Sequence, residues 1–275
     1  MTPPASKYPG VYVEETPVSS RVIAGVGTSV AAFVGRARRG PVNEPVLLGS
    51  VAEFSRTFGD AAAGDLAALA LRQFFENGGS EAWFVRVGSR AAGAAIVGDA
   101  KRRSGIHALP DDSGVGLLVV PELAFLAPSD ARQGVTSVLP FCEERGIFCI
   151  LDVPGLGDGP PSVDDALRWA ASIESAARRN AAVYFPFVEA ARPRRKPAMA
   201  AMPASGAVAG VYARTDSARG VWKAPAGVEA SLHGVPGLVP VLTENDADRL
   251  QAGGINPLIL LSLIHISEPT RLRRI

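Results

Sequence analysis

Four aspartates are the residues best typed and spaced for chemistry. Asp152, Asp158, Asp164 and Asp165 lie in DVPGLGDGPPSVDD, directly after an apolar run. In open α/β sheets ligands bind beyond the carboxyl ends of the strands, and grouped carboxylates can move protons or hold a divalent cation. One reading is therefore an α/β hydrolase or nucleotide-binding enzyme using the loop at 152–165. No histidine lies nearby, however, and Asp164 and Asp165 fall in the first turn of a helix expected from Ser162, where carboxylates favour the helix dipole. Capping is the expected role, and no residue is assigned as catalytic, cofactor-binding or metal-binding.

Other chemistries fare no better. His107, His233 and His265 fall in separate segments. Gly25, Gly27 and Gly35 form neither GxxxxGK[ST] nor a GxGxxG opening a helix, and no GxSxG elbow is present, so no cofactor is expected. Cys142 and Cys149 match neither a CxxC pair nor a zinc knuckle and read as buried thiols in a reducing compartment. The basic run Arg192, Arg194, Arg195, Lys196 lacks interleaved aromatics and stands in a chain of formal charge +1, which argues against nucleic acid. The N-terminus has no secretory pattern. The apolar run from Pro257 to Ile266 is too short to span a bilayer, so no membrane insertion is expected.

The elements that would position these residues follow from periodicity. A chain of 275 residues, 47% hydrophobic, can bury one good core or two modest ones. Ser29–Val34 and Pro45–Gly49 read as strands. Ser50 with Glu53 fits a capping box for a short helix closed by Gly59. Asp65 opens a helix with an apolar stripe at Leu66, Leu69, Ala70, Gln73 and Phe74, stopped by Asn77, Gly78 and Gly79, and a β-prone run follows from Ala82 to Val87. Residues 89–114 are Gly, Ala and Arg rich and read as a surface excursion with one weak strand near Ala95–Val97. From Val115 the pattern is regular: apolar runs at Leu117–Val120, Ile147–Leu151 and Ala181–Val188 alternate with helices at Ser129–Arg145 and Ser162–Arg179. Continuous apolar runs joined by helices predict a largely parallel sheet covered on both faces. Residues 190–205 read as a linker or exposed loop, followed by a short helix, a loop carrying Trp222, and a helix from Thr243 to Leu250, with Asp246 three residues after Thr243 as a weaker capping pair.

Several stretches together resemble the contractile tail sheath family of contractile-tailed phages, R-type bacteriocins and extracellular injection systems. They are YPGVYVEE at 8–15, TSVAAFVGRARRGPVNEPVLLGSVAEFSRTFG at 28–59, DLAALALRQFFENGGSEAWFVRV at 65–87, FCEERGIFCILDVPG at 141–155, AAVYFPFV at 181–188, SGAVAGVYARTDSARGVWKAPAG at 205–227 and GINPL at 254–258. All occur in the family's order.

The resemblance implies a non-enzymatic, virion-type structural subunit. It implies a helical homopolymer around an inner tube protein, with baseplate and tail-terminator proteins as further partners. Assembly would take place in the bacterial cytoplasm, ahead of incorporation into a virion tail or a released particle. It also implies a fold: an α/β sheath domain at 23–205 with a mixed, largely parallel sheet flanked by helices, an extended N-terminal arm at 1–22, and the start of an inner C-terminal α+β domain at 206–260. Val11, Tyr12, Val13, Glu14 and Glu15 map onto the arm that adds a strand to a neighbour's sheet. After GINPL the sequence departs from the family. Leu261–Arg271, LSLIHISEPTR, resembles the translation of a transposase adapter from sequencing libraries, and 261–275 is expected to be a non-native tail on a truncated gene. Such a chain, with an incomplete acceptor sheet, is not expected to polymerise normally.

Overall fold

The computed structural model describes residues 30–61, 65–88, 93–155, 159–174, 176–191 and 199–260. The arm residues Val11, Tyr12, Val13, Glu14 and Glu15, the basic run from Arg192 to Lys196, Asp158 and the 261–275 tail lie outside the described residues.

Strand β1 (Ala31–Gly35) contains no polar side chain and is buried throughout. Ala31 and Phe33 face one layer while Ala32 and Val34 face the other, the period-two alternation of a strand covered on both sides. After β2 (Pro45–Leu48) comes α1 (Val51–Phe58). Ser50 Oγ accepts from Glu53 N, but the Glu53 carboxylate reaches back to Gly49 N at 2.7 Å. Helix α2 (Leu66–Glu76) leads to β3 (Ala82–Arg86). The reversal between them depends on tight fit: Gly78 has φ +106°, and a Cβ on Gly79 would fall 2.1 Å from the Phe74 ring. Phe54 and Phe58 pack on Phe84 at centroid distances of 4.9 and 4.8 Å, binding α1 to β3.

Residues 89–114 correct the sequence expectation. The stretch holds helix α3 (Gly93–Val97) rather than a strand, followed by a 3-10 turn at Gly105–Ala108. Ile96, Ile106, Ala108 and Leu109 are buried in the core, while residues 99–103 and 111–112 are exposed as a surface excursion would be. Alanine at 94 and 95 favours helix over strand, and Gly93 lets the helix approach Leu126 closely.

The regular half follows in order: β4 (Leu117–Val119), α4 (Pro128–Arg145), β5 (Phe148–Asp152), α5 (Val163–Ala171) and β6 (Ala181–Phe185). Helix α5 stops well before Arg179, and a 3-10 turn at Ala176–Asn180 completes the crossover. The apolar run Ala181–Val188 is likewise two strands, divided at Pro186, which has no N–H for a ladder. Its second half is β7 (Phe187–Ala191), which pairs antiparallel with β8 (Met199–Met202). Within the stretch expected to be a linker, the described residues thus include the end of β7 and the whole of β8. Helix α6 (Ser205–Arg219), the short β9 (Leu238–Val239), α7 (Glu244–Ala252) and the short β10 (Asn256–Pro257) follow.

The main sheet has seven strands in the order β10-β6-β5-β4-β1-β3-β2, and the smaller one has the order β8-β7-β9. All pairings in the main sheet are parallel except β2 with β3. Helices α3, α4, α5 and α7 cover one face, while α1, α2, α6 and the small sheet cover the other. The fold is α/β with a mixed, largely parallel sheet flanked by helices.

Candidate functional site

The chain leaves β1 toward β3 with α2 on one face, and leaves β4 toward β5 with α4 on the other. The junction of β1 and β4 is therefore the topological switch point, where doubly wound sheets bind their ligands. Here that position is filled from within. Glu122, in the 3-10 turn Pro121–Phe125 after β4, is 3% exposed. Its Oε1 accepts from Arg36 N at 2.8 Å and from Ala67 N at 3.2 Å. A Cβ on Gly35 would lie 2.2 Å from the same oxygen, so residue 35 must be glycine for the carboxylate to fit. Asp65 makes no side-chain cap to α2; Glu122 supplies that acceptor from across the sheet, occupying the place where a bound anion would meet a helix N-terminus. Burial pushes the Glu122 carboxyl up to about 7, against the opposing pull of its backbone donors and Arg36.

Of the four aspartates, Asp158 lies outside the described residues, and Asp152, Asp164 and Asp165 do not come together in a site. Asp152 ends β5 on the same face as Ile150, toward α6, and its Oδ1 accepts from Ser205 N at 2.9 Å. The residue is partly accessible, but its carboxyl is enclosed beneath α6, and that burial pushes it up to about 7. Asp164 and Asp165 ride on α5, across the sheet. Asp165 completes a capping box with Ser162, whose hydroxyl donates to it at 2.6 Å and holds its carboxyl below the ordinary 3.8. Asp164 pairs with Arg249 of α7. The expected capping role thus holds for Asp165, while Asp152 caps a different helix, α6. His107 packs edge-on to Phe141, His233 lies far along the chain, and Cys142 and Cys149 are buried free thiols. No cluster of three or more His, Cys, Asp or Glu side chains suited to a metal occurs among the described residues.

What the molecule builds instead is a tight helix pair. Helices α2 and α6 cross with small residues between them: a Cβ on Gly206 would lie 2.4 Å from Ala70 O, and one on Gly210 would lie 2.5 Å from Phe74 O. The Gly-x-x-x-Gly spacing in SGAVAG is the sequence signal for this contact. The buried Asn77 does more than stop α2. Its Nδ2 also donates to Gln73 O and His233 O, and its Oδ1 accepts from His233 N. Arg214 of α6 donates to Asn77 O and Ser231 O, so one corner ties two helices to the loop before β9.

The apolar surface lies elsewhere. Trp222 is 85% exposed, with Val221 and Val228 exposed on the same segment and Val241, Ile259 and Leu260 exposed further along. Strand β2 ends the main sheet, and β8 and β9 end the small one. No helix among the described residues is long and apolar enough to cross a membrane.

No protein-family model matches the sequence, and no curated protein does. Solved structures do share its fold. The helical sheath of the anti-feeding prophage, in its contracted state, is 27% identical with a TM-score of 0.60, over 94% of this chain and 66% of the other. The contracted sheath complex of PVC, an extracellular contractile injection system, is 25% identical with a TM-score of 0.66, over 94% of this chain and 64% of the other. The sheath tail protein Lin1278 of Listeria innocua, 11% identical with a TM-score of 0.50, shares the fold alone over 85% of this chain and 65% of its own. The chain spans about two thirds of the length of these sheath proteins.

Proposed function

We propose that this chain is part of a structural subunit of a contractile tail sheath, a subunit that polymerises around an inner tube and contracts to drive that tube through a target envelope. The observation that carries the reading is its likeness, across 94% of its length, to a helical sheath and to an injection-system sheath. The interior agrees with it. The crevice where an α/β enzyme would bind substrate is occupied by Glu122, which favours a mechanical role over a catalytic one. Partners on this reading are further copies of the chain, the tube, and the baseplate, the last suggested by a second anti-feeding prophage likeness, to its baseplate assembly. The arm residues Val11 to Glu15 would link neighbouring subunits by strand addition, and contraction would shift bistable interfaces between nearly rigid bodies. Assembly would occur in the bacterial cytoplasm.

Sedimentation tests this. Contractile particles pelleted from the source organism should contain peptides of this protein, such as those from 65–87, among their most abundant components. Recovery of those peptides only from the soluble fraction would refute the assignment.

A further inference from the structure

Two helix N-termini on the same face of the sheet are held by carboxyl groups that come from strand ends. Glu122 accepts from Ala67 N at the head of α2, and Asp152 accepts from Ser205 N at the head of α6. These are the two helices that cross through Gly206 and Gly210, so both carboxyls secure a single layer. We propose that Glu122 and Asp152 are proton-sensitive clamps, and that the α2–α6 layer sits less firmly on the sheet once they ionise.

The geometry disfavours the ionised form. Glu122 Oε2 is buried with no hydrogen-bond partner among the described residues, so ionisation would leave charge on an unsatisfied interior oxygen, which is costly. The charged group acting on Glu122 is Arg36, which favours ionisation, as do the helix N-termini; burial outweighs them. Around Asp152 stand Cys149 of β5, the register partner Tyr184 of β6 with its hydrogen-bonded Tyr212 of α6, and Ser205. None of these side chains offers Asp152 a cation.

Each carboxyl is raised to about 7 from an ordinary 4.5 for Glu122 and 3.8 for Asp152. A raised folded-state value means the stabilisation is complete below the ordinary values and is lost as pH rises through about 7. Thermal unfolding of the 275-residue chain tests this beside E122Q, D152N and the double variant, whose amides keep an acceptor oxygen but cannot ionise. The unfolding midpoint of the parent should fall by several degrees between about pH 5 and about pH 8. The slope should shrink in each single variant and vanish in the double. A flat parent profile, or an undiminished slope in the double variant, would overturn the proposal. Should the variants fail to fold, hydrogen exchange in the parent decides: protection factors at Ala67 and Ser205 should drop over the same range, and constant protection would overturn it. Either failure leaves the sheath assignment untouched, because nothing here depends on assembly.

Discussion

Asn77 and His233 form a two-way backbone clasp: Asn77 Oδ1 accepts from His233 N at 2.7 Å, and Asn77 Nδ2 donates to His233 O at 3.1 Å. A side chain thereby copies a strand pairing and fixes the loop before β9 to the end of α2. Asn77 is fully buried, so removing it strands polar groups away from water. Asn77→Ala should lower stability by about 2–4 kcal/mol, read as a lower urea midpoint at unchanged slope. A change under about 0.5 kcal/mol would show that the clasp is not maintained in solution.

The α2–α6 crossing leaves no space for one added methyl. Gly210→Ala would place its Cβ 2.5 Å from Phe74 O, forcing the helices apart at a cost of about 1–3 kcal/mol. Gly88→Ala is the internal control, because none of the described residues comes within 4 Å of its added Cβ. Thermal melts followed by circular dichroism should separate the two variants clearly. Equal melting temperatures would contradict the crossing as described.

Two exposed capping boxes, Ser162 with Asp165 on α5 and Thr243 with Asp246 on α7, add to stability toward acid. Ser162→Ala should cost about 1 kcal/mol. Hydrogen bonds from Ser162 and Thr243 hold Asp165 and Asp246, respectively, below their ordinary 3.8, so their contribution is present above that value and is lost as pH falls beneath it. Acid unfolding of S162A and T243A should start from a lower plateau and show a shallower acid limb. Acid limbs identical to the parent's would mean that neither box forms.

The loop at 152–165 should not behave as a metal site. Asp152 faces α6 while Asp164 and Asp165 ride on α5 across the sheet. Calorimetric titration with magnesium or manganese ions should give no saturable heat. Saturable binding lost in D164A would revive the enzyme reading.

What could be read from sequence and what could not divides by the range of the interaction. Strand β1 was legible because its own five residues are apolar on both faces, and the Thr243 box because its partners lie three residues apart. The trans caps were not legible: Glu122 meets Arg36 across 86 residues and Ala67 across 55, and Asp152 meets Ser205 across 53. Nothing local distinguishes these carboxylates from exposed ones. The run Ala181–Val188 misled because both halves are equally apolar, although Pro186 was the available sign that the chain changes sheets. Helix α3 was missed because a five-residue helix of Gly, Ala, Ile and Val offers too few turns for its period to show.

The sheath assignment itself is tested most directly by locating the protein on an assembled particle. Antibodies raised against the 275-residue chain, applied with gold conjugates to contractile particles from the source organism, should decorate the shaft at regular intervals in extended and contracted forms alike. Gold confined to other parts of the particle, or absent from particles that plainly carry a sheath, would contradict the account.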